Sequence, residues 1–115
     1  MEHNDLKDRT KKFALNVISY SKSLGNDLAD TEMAKQLLRS AMSVGANTRS
    51  AFKGRGRNEF NGKLEMVIES ADECGYYLEL LEAQSGTNLE LSDQLKQESE
   101  ELTSIFGSIV KKNMN

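Results

Sequence analysis

Apolar residues return every three or four positions in four stretches of the chain, the spacing that keeps them on one face of an α-helix. The clearest stretch is Phe60, Leu64, Val67, Ala71, Cys74, Leu78 and Leu81, whose gaps alternate between four and three. Ile68 and Gly75 widen this stripe beyond a two-strand seam, as a bundle interior requires. Asn58 is placed to act as the N-cap of this third helix, and Gly86 lies past its C-terminus. Upstream, Met33, Leu37, Leu38, Ala41, Val44 and Thr48 form a second stripe, with Asp30 and Thr31 as its caps. Its small residues Ala41, Ser43, Gly45 and Ala46 predict a closely approaching neighbour. A first helix follows from Leu6, Thr10, Phe13, Val17, Tyr20 and Leu24, stopped by Gly25-Asn26. A fourth runs from a cap near Ser92 through Leu95, Leu102, Ile105, Phe106, Ile109 and Val110, with Lys111 and Lys112 at the negative end of its dipole.

Short joints at Gly25–Asp30, Lys53–Arg57 and Ser85–Glu90 connect these segments, so the expected fold is all-α, an antiparallel up-down-up-down four-helix bundle. At 115 residues, positions 1–115 are read as a single domain. The absence of Pro and Trp and the presence of only seven aromatic residues suit helices better than strands. Leu15, Phe52, Tyr76, Tyr77 and Leu80 exceed what one small antiparallel core can cover. A homo-oligomer with these residues at its interface is therefore expected.

A lone cysteine, Cys74, cannot form an internal disulfide, and the polar start "MEHNDLKDRTKKF" has no apolar leader. No stretch approaches the roughly 20 apolar residues of a membrane span. The expectation is a cytoplasmic protein with no membrane partner. The net charge of −3 conceals an asymmetry: residues 35–63 hold seven cations (Lys35, Arg39, Arg49, Lys53, Arg55, Arg57 and Lys63) and one anion, Glu59. That segment is +6 within a chain of −3, which leaves −9 on the rest. Such a cationic patch is the cue for an anionic partner.

The run "LLRSAMSVGANTRSA" (Leu37 to Ala51), followed by "NEFNGKLEMVIESADECGYYLELL" (Asn58 to Leu81), resembles the four-helix-bundle proteins related to those encoded in intervening sequences of bacterial 23S rRNA genes. The resemblance covers a little under half the chain. It implies a left-handed antiparallel bundle that assembles into a ring, commonly a pentamer, in the bacterial cytoplasm. It implies no established activity, although the rRNA gene context raises nucleic-acid binding. Arg39, Ser40, Asn47, Glu73 and Glu79 match family positions, whereas Ser50 stands where relatives usually carry Glu.

The stretch "AFKGRGRNEF" (Ala51 to Phe60) is read as a helix joint that gathers cations within reach of a phosphate backbone: Arg49, Lys53, Arg55 and Arg57, with Lys63. Arg-Gly-Arg also resembles a minor-groove hook, but its flanking prolines are missing, so phosphate contact is expected rather than base readout. Glu65, Glu69, Asp72 and Glu73 form a carboxylate ladder, read as a solvated face or as a partner for a neighbouring subunit's cations. Carboxylate-bridged metals in bundles use Glu-x-x-His, and the one histidine, His3, is near the terminus, so no metal or other cofactor is expected. Cys74 is on the inner stripe with no histidine to activate it, which argues against nucleophilic catalysis and for no enzyme activity. Arg39 is expected in a structural or interface ion pair with Glu73 or Glu79. Together these readings give a ring-forming, non-enzymatic protein that binds RNA or DNA without sequence specificity. The alternative is a scaffold whose basic rim docks an acidic protein partner.

Overall fold

The computed structural model describes residues 3–54 and 56–114, which form four α-helices: α1 (His3–Lys22), α2 (Leu28–Ala51), α3 (Arg57–Gln84) and α4 (Leu89–Asn113). They pack into a rod of 45 × 20 × 20 Å. Each helix touches its neighbours in chain order, α1 closes back onto α4, and the backbones of diagonal helices stay apart. Polar contacts fix the directions. Ser40 Oγ donates to Glu73 at 3.1 Å and the Ser43 and Ser70 hydroxyls meet at 2.8 Å, so α2 and α3 run antiparallel. Ser92 with Glu82 at one end, and Asn113 with Asn61 at the other, make α3 and α4 antiparallel too.

The apolar stripes point inward as their periods require. Leu64, Val67, Ala71, Cys74, Leu78 and Leu81 of α3 are fully buried, facing Phe13, Val17 and Tyr20, Leu37 and Val44, and Leu102 and Phe106 of the other helices. Thr10 and Thr48 occupy core positions because each hydroxyl donates to a carbonyl of its own helix, Leu6 and Val44, at 2.9 and 2.7 Å. The small residues of α2 have the expected use: a Cβ on Gly45 would lie 3.7 Å from the Thr10 carbonyl oxygen, so α1 and α2 nearly meet backbone to backbone.

The helix starts differ from the sequence expectation. The α2 cap is Asp27, extended at φ −68° and ψ 163°, whose side chain accepts from the Asp30 amide at 2.7 Å. Asp30 is thus the residue being capped rather than the cap, and it lies buried in the first turn. The α3 cap is Gly56, and Asn58 sits exposed inside the helix. The α4 cap is Asn88 in the left-handed region, φ 54°, one turn before Ser92. Ser92 is inside the bundle and its hydroxyl is committed to Glu82, so it has no capping role. The joints after α2 and α3 reverse the chain through Gly54 and Gly86, at φ 74° and 65°, where a side chain would strain the backbone.

The five residues expected at an interface divide. Leu15 and Tyr76 are exposed, whereas Phe52 and Tyr77 pack partly against the core and Leu80 is half-buried. Among the described residues no helix is long and apolar enough to cross a membrane.

Candidate nucleic-acid interface

The α2–α3 joint is held by its aromatic flanks. Phe52, the C-cap of α2, and Phe60, in the first turn of α3, pack at 5.3 Å between ring centroids and 59° between planes. This ring pair ties the two helix ends together and leaves Lys53 and Arg57 exposed at the tip. Arg55, between them, lies outside the described residues. Arg49 is exposed on the last turn of α2, where the helix dipole favours a cation. Arg57 is the first residue of α3, where the dipole disfavours one. A cation placed against a positive helix end is relieved by an anion, and helix N-termini bind phosphates for the same reason. Lys63 is half-buried one turn further along.

A second element reaches this end. Asn113 Nδ2 donates to Asn61 Oδ1 at 3.1 Å and brings the C-terminal turn of α4 beside the start of α3. Lys111 and Lys112, both exposed, therefore join Lys53 and Arg57. Sequence patterning assigned them only to the α4 dipole, because nothing local shows that the two helix ends converge. Beside Lys112 lies a hollow of about 480 Å³ floored by Leu6, Phe52, Phe60, Ile105 and Ile109. Among the described residues, Asp5, Asp8, Glu59 and Glu65 are the acidic residues toward this end; Glu59 is itself engaged, and Glu65 and Glu69 line a hollow with Lys111. The other carboxylates of α3 and α4 lie farther along, from Asp72 to Glu82 and from Glu90 to Glu101.

The expected pairing of Arg39 does not form within the chain. Arg39 is exposed and has no ion pair among the described residues, and Glu73 accepts from Ser40 instead. Ser40 and Ser43 are the α2 residues that face α3 at this level, whereas Arg39 lies with Lys35, Met42 and Ala46 on the outward face of the helix. Glu79 is exposed and also has no ion pair among the described residues. Asn47 keeps to its own helix, its Nδ2 donating to the Ser43 carbonyl at 3.0 Å.

Cys74 is fully buried, and burial, with Glu73 close by, pushes its thiol up to about 12. Among the described residues no group of three or more His, Cys, Asp or Glu side chains is arranged to hold a metal ion. The polar contacts that patterning missed lie elsewhere. Arg9 makes a fork onto Glu98 at 2.7 and 2.8 Å and reaches Glu101 at 3.0 Å. At the opposite end, Glu82 accepts from Ser92 and pairs with Lys96 at 2.6 Å. The Lys96 hydrogen bond is the chief reason the Glu82 carboxyl titrates below the usual range.

No functionally curated protein matches the chain. Among solved structures it is similar to a protein of unknown function from the S23 ribosomal protein family of Bacteroides thetaiotaomicron VPI-5482. The two are 34% identical and superpose with a TM-score of 0.86, over 96% of this chain and 99% of the other. The family of 23S rRNA-intervening sequence proteins matches residues 2–108, nearly the whole bundle and the full α2–α3 joint. The chain belongs to the 23S rRNA-intervening sequence protein family.

Proposed function

We propose that this protein is a non-enzymatic, ring-forming scaffold of the bacterial cytoplasm that binds RNA or DNA through phosphate contacts at its basic end. The observation that carries the reading is the meeting of the α2–α3 joint with the C-terminal turn of α4, which gathers exposed Lys53, Arg57, Lys111 and Lys112 on one end of the rod. These are flexible or tip-mounted cations with no pocket built to read a base edge, so the contact is electrostatic and tolerant of sequence. In a ring whose axis follows the rods, every copy presents this end on the same face, and repetition supplies avidity that one protomer lacks. The buried, unactivated Cys74 fits a scaffold better than an enzyme.

The test is binding of labelled structured RNA and of duplex DNA across a salt titration, for the wild type and for Arg57→Ala/Lys112→Ala. Removing one cation that neutralises a phosphate is expected to reduce the magnitude of the log–log salt slope by about 0.7–0.9. Absence of binding to either probe at low salt overturns the proposal. The second reading, an acidic protein partner, is favoured by the apolar hollow beside Lys112, which a phosphate backbone does not need. It gains if the same substitutions abolish capture of an acidic partner while nucleic acid has no effect.

A further inference from the structure

Two surfaces along the flank of the rod carry unspent charge. The outward ridge of α2 is Lys35, Arg39, Met42, Ala46 and Arg49, all exposed, with the same alternating four-and-three spacing as a buried stripe. Arg39 and Arg49 have no ion pair within the chain among the described residues, and Met42 at the middle of the ridge is 56% exposed. The other surface is the groove between α3 and α4. Its α3 wall is Glu65, Glu69, Asp72, Tyr76 and Glu79, again with four-and-three spacing and again without ion pairs among the described residues. Tyr76, at the middle of that wall, is 57% exposed. Two hollows of about 390 and 610 Å³ run along the groove, where Gly75 and Gly107 carry no side chain to fill them.

We infer that the α2 ridge of one copy seats in the α3–α4 groove of the next, head to tail, with a second copy of this chain as the sole occupant of both surfaces. This rests on the ring-forming reading and gives it an interface. Copies standing side by side in the same sense set α2 antiparallel to the neighbour's α3. With Met42 opposite Tyr76, the spacing then places Arg39 opposite Glu79 and Arg49 opposite Glu69. An exposed apolar centre flanked by opposed charges is the anatomy of a specific contact. Within one chain Ser40 lies level with Glu73 and Ser43 with Ser70. The proposed register is a slide of five residues from level, about 7.5 Å along the helix. In a closed ring of rods 20 Å wide, a lean of every rod from the ring axis by about 20° gives adjacent copies this offset.

The groove also holds two cations. Lys96 is satisfied by Glu82 and Asp93, at 2.6 and 3.5 Å, and Lys111 stands at the end nearest the basic tip. Lys96 lines the same hollow as Tyr76 and Glu79, close to the proposed Arg39 contact, where Glu82 and Asp93 offset its charge. The groove lies to one side of α4, the helix diagonal to α2, so ridge and groove are not on opposite faces of the rod. Successive copies are therefore turned relative to one another, the geometry from which a head-to-tail contact can close into a ring. Arg39, which has no carboxylate partner among the described residues, receives Glu79 of its neighbour. Arg49 is drawn into assembly, and Lys53, Arg57 and Lys112 keep the outer basic end.

Light scattering coupled to size-exclusion chromatography, with circular dichroism to confirm folding, tests this on the full chain. Arg39→Glu/Arg49→Glu and Glu69→Arg/Glu79→Arg are each expected to shift the mass entirely from the oligomer to the protomer. The quadruple variant carrying both reversals is expected to recover the oligomer, because opposed charges face each other again with their signs exchanged. An oligomer of unchanged mass in both reversal variants overturns this interface and leaves the ring reading standing. So does a quadruple variant that stays at protomer mass. A wild type that is monomeric at every concentration overturns both.

Discussion

Tyr20 is fully buried and its hydroxyl makes no regular hydrogen bond among the described residues: Ser92, which lies against it, donates its hydrogen to Glu82 and offers Tyr20 only its oxygen as a weak acceptor. Burial is the main cause of the upward shift of the Tyr20 titration. A buried hydroxyl left unpaired costs more than it contributes. Tyr20→Phe is therefore expected to leave urea stability unchanged or to raise it by up to about 1 kcal/mol. A fall in stability of more than that amount would mean that the hydroxyl is bonded after all. At this scale the sequence was legible where a residue's role depends on its helix face, as for Cys74 on the inner stripe. It was not legible where the role depends on which distant side chain arrives opposite, as for Tyr20 with Ser92 and Glu82. Arg39 illustrates the limit: it was expected in a structural or interface ion pair, and the packed bundle leaves it on the outward face with no carboxylate partner among the described residues.

At the scale of elements, α1 and α4 form the least extensive of the four seams, and Arg9 spans it with its fork onto Glu98 and its bond to Glu101. Removing Arg9 costs little in total, because the guanidinium is about a third exposed and water screens it. Arg9→Ala is expected to lower stability by about 1 kcal/mol. Its sharper signature is local: amide exchange is expected to speed up along α1 while the core of α2 and α3 stays protected. Uniform acceleration across all four helices would show that α1 is not a separable unit. The apolar periods placed all four helices before any coordinates. The starts were less legible, since Asp27, Asp30 and Thr31 are all competent caps and the backbone geometry selects among them. The Arg9 clasp joins residues nearly 90 positions apart, a distance at which periodicity carries no information.

For the whole molecule, charge and assembly make opposing forecasts that one variant separates. Glu69→Arg/Glu79→Arg makes each protomer more positive, so electrostatics alone predicts tighter binding to RNA. If the ring gathers basic ends on one face, losing the ring removes avidity, and binding is expected to weaken by about tenfold or more despite the added charge. Tighter binding by a folded, monomeric variant would show that one protomer is the binding unit. The charge asymmetry was legible in the sequence as a +6 segment against a −9 remainder. That Lys111 and Lys112 reinforce it, while the carboxylates stand off along α3 and α4, required the bundle to bring those parts together.

Helix α1 starts and α4 finishes at the same end of the rod as the α2–α3 joint. A purification tag or fluorescent reporter fused at either terminus would therefore begin beside the cationic surface, masking it or, if acidic, mimicking its ligand. The turns around Asn26 and Gly86, at the far end, are the better places to attach a label or immobilise the protein, because they leave that surface facing the solution.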